Sequence, residues 1–182
     1  MAAARDSIFQ RILGDAWPAL PAAVRALHGN EPMLRMAGLA TVTRGRGWLA
    51  RMVAAIVGFP AAGIDVPVEV QLQRDADGET WRRVFAGRAF SSRLRAGTGR
   101  AQGLIVESFG PVRVRIALVV EGDRLRFEVR GWSLWSLPLP RALAPGGDSH
   151  ETQRDGRFVF HIVIEHPWTG PIVGYTGWLA PP

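Results

Sequence analysis

The chain has 182 residues, 47% of them hydrophobic, with a net charge of +6, which suits one domain with a packed core. All 22 basic residues are arginine and cysteine is absent, so there is no Schiff-base or Walker lysine, thiol nucleophile, disulfide or thiolate metal site. The pI near 11.4 overstates the basicity, because with one tyrosine and no lysine almost nothing titrates between histidine and arginine. The arginines are spread along predicted strands without any RNA-binding, zinc-finger or helix-turn-helix signature, and nucleic acid is not expected as a partner.

The start, MAAARDSIFQRILGDAW, lacks an apolar leader core and carries charges where one would sit. The nearest apolar run, Trp48 to Phe59, is shorter than the ~20 residues that cross a bilayer. A cytoplasmic location and no transmembrane segment are therefore expected. SIFQRILG places Ile8, Phe9, Ile12 and Leu13 at helical spacing, with Asp6 or Ser7 as N-cap and Gly14 as the stop. A second short helix runs from Pro21 to His28 and ends at Gly29-Asn30. Residues 1–36 thus read as a helical N-terminal segment of a single domain 1–182, and 37–182 as the β part.

Leu39 to Arg44 is the first predicted strand, RGRG turns the chain, and GWLARMVAAIVGFP predicts a helix inserted at 47–58. Trp48, Leu49, Met52, Val53, Ile56 and Val57 leave only Arg51 for water, so that helix should be buried or covered. From Val66 the period becomes two. VPVEVQLQR, ETWRRVFAG with RAFSSRL, GLIVESF, the hairpin VRVRIALVVEGDRLRFEVRGW, RFVFHIVIEH and IVGYTGWL all read as strands. Gly87 is read as a bulge or corner within a continuing strand, and WSLWSLPLPRALAPGGDSH as an irregular, proline-rich loop. Gly174 and Gly177 imply strong curvature or close packing. The fold class that follows is mainly β: an antiparallel barrel or half-barrel of about eight or nine strands, with short N-terminal helices and one apolar, lid-like helix.

The hairpin from Val112 to Trp132 has one apolar and one arginine-rich face. If Gly122-Asp123 is a two-residue turn, Val120 opposes Leu125, Leu118 opposes Phe127, and Arg115 opposes Arg130. Like charges directly opposite are destabilising unless a carboxylate or anion lies between them. An outward face would make Arg115 and Arg130 solvated partners of Glu107 and Glu128, and an inward face would make them an anion site. The outward arrangement is favoured.

Other motifs are weaker. His161 and Glu165 share a strand face but lie roughly 13 Å apart at ~3.3 Å per residue, and His166 faces the opposite side, so no metal site is expected. Gly97-Thr98-Gly99-Arg100 with Gly103 precedes a strand instead of opening a helix, unlike a dinucleotide fingerprint. No cofactor is expected.

GDAWPALPAAVRALHG, TRGRG, ESFGP, RGWSLWSLPLPRALAP and DGRFVF…GYTGWL make the chain resemble the bacterial family called domain of unknown function 4166 (DUF4166). The resemblance covers nearly the whole chain. Family members are stand-alone domains or tails on dinucleotide-binding proteins of the epimerase or saccharopine-dehydrogenase type, which implies an accessory or substrate-presenting role beside such a partner. No catalytic residue is implied by it.

Three functions fit these features. The first is a non-enzymatic domain binding an apolar or amphipathic, lipid-like small molecule in a barrel cavity, with the apolar helix as lid and tryptophans such as Trp132 at the mouth. The second is an enzyme or enzyme partner for a small anionic substrate, with Asp15, His28, Glu107 or Tyr175 as acid–base groups and Arg130, beside Arg115, as the charge clamp. The third is an interaction module whose apolar helix docks on a protein or membrane surface.

Overall fold

Period-two alternation runs along most of the chain after Met33, and each alternating stretch turns its apolar set to one common interior. The structure is a computed structural model describing residues 6–182. Residues 1–5, which open the expected helical segment and the expected leader-free start, lie outside the described residues. Eleven strands form: β1 (Met33–Arg44), β2 (Gly63–Asp75), β3 (Gly78–Phe85), β4 (Arg88–Ala96), β5 (Ile105–Phe109), β6 (Val112–Glu121), β7 (Arg124–Leu134), β8 (Leu137–Leu139), β9 (His150–Arg154), β10 (Arg157–His166) and β11 (Gly170–Ala180). Neighbours pair in chain order from β1 to β7, β7 then pairs with β9, and β10 and β11 lead back to β1. The result is a closed antiparallel barrel of ten strands with β8 outside it, on β7. This is the expected class, and the barrel closes.

The strand count exceeds the expected eight or nine for local reasons. Ala86 and Gly87, at φ 45° and 83°, form a two-residue hairpin turn between β3 and β4, where a bulge or corner within one continuing strand was expected. Two positive φ angles are the signature of such a turn, but alanine seldom adopts one, which hides the signal. The proline-rich loop contributes β8 and leads into β9. Pro138 is tolerated because β8 pairs on one side only.

Across the β6–β7 hairpin, Val120 opposes Leu125 and Leu118 opposes Phe127, as the turn arithmetic requires. Arg115, however, opposes Gly131, and Ile116 opposes Val129, so Arg130 is the extra residue of a bulge. The expected Arg115–Arg130 confrontation does not occur. The bulge separates the two charges, and the absent side chain at 131 makes room for one of them, since a Cβ there would lie 2.4 Å from Nη2 of Arg115. It also shifts the alternation by one residue, turning Trp132 inward opposite Val114. The arginine-rich face points outward, where Glu128 pairs with both Arg126 and Arg130.

Helix α1 (Ile8–Leu13) starts on a capping box between Ser7 and Gln10, and α2 (Ala22–His28) follows after a 3-10 turn. Phe9, Val24 and Leu27 are buried, and the pair plugs the barrel end where β1 begins. Helix α3 (Trp48–Val57), stopped by Gly58 at φ 83°, lies at the opposite end, the mouth. The helix is not buried or covered all round as expected: Ala50 and Ala54 are buried, while Trp48, Met52 and Ile56 are exposed, because only one side of it packs on the barrel.

The β1–β11 seam is close. A Cβ at Gly38 would meet the Trp178 carbonyl oxygen at 1.8 Å, and one at Gly177 the Leu39 oxygen at 2.2 Å. Both neighbours are backbone, so Gly38→Ala is expected to cost about 1–3 kcal/mol of overpacking strain. Urea unfolding followed by tryptophan fluorescence measures it, and an unchanged midpoint would mean that the seam is loose enough to take a methyl group.

Candidate functional site

The alternation of β3 aims Glu79, Trp81, Arg83 and Phe85 into the barrel, and β2, β4, β6 and β10 add mostly aliphatic and aromatic side chains. They leave a cavity of about 490 Å³ along the barrel axis, within the ~300–1,000 Å³ range of small-molecule sites. Its lining is almost wholly apolar. The ionisable side chains among the described lining residues are His28, Arg83, Glu107, Glu151, His166 and Tyr175.

The floor is built by the plug. His28 Nε2 lies 2.5 Å from Glu151 Oε2 on β9, and the Phe9 ring stacks on the imidazole at 3.7 Å. Arg74 donates to the carbonyls of Leu27 and Glu31, each at 2.6 Å, which satisfies acceptors at the end of α2. The same guanidinium lies 3.4 Å from Glu79, and Glu79 in turn accepts from Trp81 Nε1 at 3.2 Å. These buried polar groups join α2 to the wall.

Midway up the barrel, the Arg83 guanidinium sits over the Trp81 ring at 4.9 Å and the Phe90 ring at 5.6 Å. It donates to Ser92 Oγ at 2.9 Å and lies 3.4 Å from Glu107. A cation between two aromatic faces and beside a carboxylate can stay charged in an apolar interior. Donors and an acceptor are thus presented side by side in an otherwise apolar channel. At the mouth, Leu49, Val53 and Val57 of α3 form one wall. Also at the mouth, Trp132 packs edge-on to His166 at 5.8 Å, and His166 to Trp168 at 5.6 Å.

Of the residues singled out from the sequence, His28, Glu107, Trp132 and Tyr175 line this cavity. Asp15 lies exposed on the 3-10 turn between α1 and α2, Arg130 is exposed on the outer wall, and Arg115 lies over Gly131. Glu107, expected beside Arg115 or Arg130, instead faces inward to Arg83. Arg83 and Glu151 are the cavity residues that sequence reading missed. For Arg83 a signal existed, because Trp81 and Phe85 share its parity in ETWRRVF. For Glu151 none did, since its strand HETQR has no apolar alternation. His161 lies on the outer face, 2.6 Å from Thr176 Oγ1.

Tyr175, 7% exposed, packs on Phe85 and Phe160. Burial pushes its hydroxyl up to about 12, against the lowering influence of Arg83 and helped by Glu107 and Glu151. Because it is the single tyrosine, absorbance at the phenolate band reports this site alone, and a midpoint near 12 is expected. The unfolded chain releases the proton first, near 10. This stabilising contribution is therefore complete below pH 10 and lost as pH rises towards 12, roughly 2–3 kcal/mol in all. An ordinary midpoint near 10 would mean that water reaches the hydroxyl.

A family model described as Domain of unknown function (DUF4166) matches residues 20–179. The match takes in α2 and all of the barrel but Ala180, and leaves out Gly14, Asp15 and Trp17. No curated protein matches the chain.

Proposed function

The chain belongs to the DUF4166 family, and we propose that it binds an apolar or amphipathic, lipid-like small molecule inside its barrel. The observation that carries this reading is the apolar channel of about 490 Å³, closed at one end by buried helices, with a single guanidinium–carboxylate pair halfway along it. Apolar walls favour a hydrocarbon body, at ~0.8 kcal/mol per buried methylene. The Arg83–Glu107 pair favours a group that both accepts and donates, such as a hydroxyl, because a free carboxylate would have to lie against Glu107. Tyr175 and, at the floor, the His28–Glu151 pair supply further polar contacts. The reading of a catalytic or accessory domain for a small anionic substrate gains less support. His28, Glu107 and Tyr175 share the cavity, but Arg115 and Arg130 lie outside and cannot clamp an anion there.

Native mass spectrometry of the purified protein, with organic extraction of whatever it carries, tests the proposal. A reproducible apolar adduct, displaced by the fluorescent probe N-phenyl-1-naphthylamine, is expected. Protein that stays adduct-free and leaves the probe dark would end it.

A further inference from the structure

Of the eight large hydrophobic side chains exposed among the described residues, seven lie at the mouth and only Met33 at the plugged end. Trp48, Met52 and Ile56 form one stripe of α3, and Ile64 begins the accessible part of β2. Trp135 and Leu137 flank the β7–β8 turn, and Trp168 tips the β10–β11 turn. Trp48, Ile56 and Trp135 are each more than three-quarters exposed. Burying such a set is favourable, and exposed apolar surface collected at one end of a molecule marks a contact site.

Charge separates the two ends in the same sense. The mouth connections, residues 44–65, 85–88, 109–113, 134–149 and 165–170, carry six arginines and three carboxylates. The plugged-end connections, residues 6–33, 74–79, 94–105, 121–124 and 154–157, carry eight arginines and nine carboxylates. None of the six mouth arginines forms an ion pair among the described residues. Arg44 donates to the Phe59 and Pro60 carbonyls; burial lowers its pKa, and the neighbouring charges of Arg88 and Arg51 lower it further.

We propose that the mouth of the barrel docks on an anionic phospholipid surface, with Trp48, Ile56 and Trp135 entering the interface and Arg51 and Arg88 facing lipid phosphates. Tryptophan suits the boundary between headgroups and acyl chains, an apolar helix stripe lies in that plane, and unpaired arginines are drawn to anionic lipids. A second copy would bring the same basic rim against itself, which an anionic bilayer does not. Docking goes beyond the cavity reading and does not depend on it. Where both hold, a lipid-like ligand passes from bilayer to channel without crossing water.

Sedimentation with vesicles of phosphatidylcholine containing about 30% phosphatidylglycerol, against phosphatidylcholine alone, tests this. Binding to the anionic vesicles, weakened at about 0.5 M salt, is expected. Arg51→Glu with Arg88→Glu should reduce partitioning at least ~20-fold, and Trp48→Ser with Trp135→Ser should abolish it at any salt. Neither pair lines the cavity, so both variants should keep N-phenyl-1-naphthylamine binding measured without vesicles. If the probe stays dark while vesicles still bind, the cavity reading fails and docking stands. Equal or absent sedimentation with the two vesicle types overturns docking. So does a dimer in light scattering that Trp48→Ser with Trp135→Ser converts to monomer, because a second copy then covers the rim.

Discussion

Glu151→Ala is expected to lower the unfolding free energy by about 3–5 kcal/mol, the usual cost of removing one partner from a buried charged or strongly hydrogen-bonded pair. Against a total of ~5–15 kcal/mol for a domain, that is a large fraction. His28 is 1% exposed, and its Nδ1 has no partner among the described residues, so losing the carboxylate would leave both ring nitrogens unsatisfied beneath Phe9. The damage should centre on the plug. Helix α2 is held to β9 by this contact and by the Gln153 side chain, which accepts from Ala23 N at 2.8 Å. Glu151→Gln keeps a hydrogen bond and should lose less than half as much. His28→Leu combined with Glu151→Leu should recover most of the loss, because Phe9 and Trp81 offer apolar neighbours. Urea unfolding of the four proteins measures these differences. A loss under about 1 kcal/mol for Glu151→Ala would mean that water already reaches the pair.

That contact also shows where sequence reading stops. Capping by Ser7, the stop at Gly58 and the two inner pairs of the β6–β7 hairpin all follow from residues a few positions apart, and the structure has each of them. Alternation likewise identifies one face of every long strand as apolar. A polar residue on that face is marked only by the parity it shares with apolar neighbours, as Arg83 shares that of Trp81 and Phe85, because an inward arginine otherwise looks like a break in the pattern. Arg83 is such a case, and its inward position is stabilised by Ser92, Glu107, Trp81 and Phe90, which come from β3, β4 and β5. The His28–Glu151 contact joins residues 123 positions apart, and no local spacing encodes it.

The Arg130 bulge is a different kind of miss. The like-charge conflict at Arg115 and Arg130 was visible, and so was Gly131, but two-residue turn arithmetic propagates one register to the end of the hairpin. A single inserted residue resolves the conflict and reverses the parity beyond it. Trp132 then belongs to the cavity, and the arginines do not.

Filling the channel should have the largest effect on ligand binding. Val114 and Val129 line the cavity from adjacent strands, and replacing them by Val114→Trp and Val129→Phe would occupy the space a hydrocarbon body would take. If three or four methylenes lose their place, binding weakens by about 2.4–3.2 kcal/mol, or roughly 50–200-fold in Kd. Val119, opposite Arg126, lies on the outward face, and Val119→Phe serves as the matched control with unchanged affinity. Titration with N-phenyl-1-naphthylamine, after urea unfolding has shown that each variant is folded, measures both. Equal weakening by the inner and outer substitutions would place the probe on the surface. Loss confined to the inner pair would locate the apolar part of the ligand between β6 and β7, below the Trp132 ring.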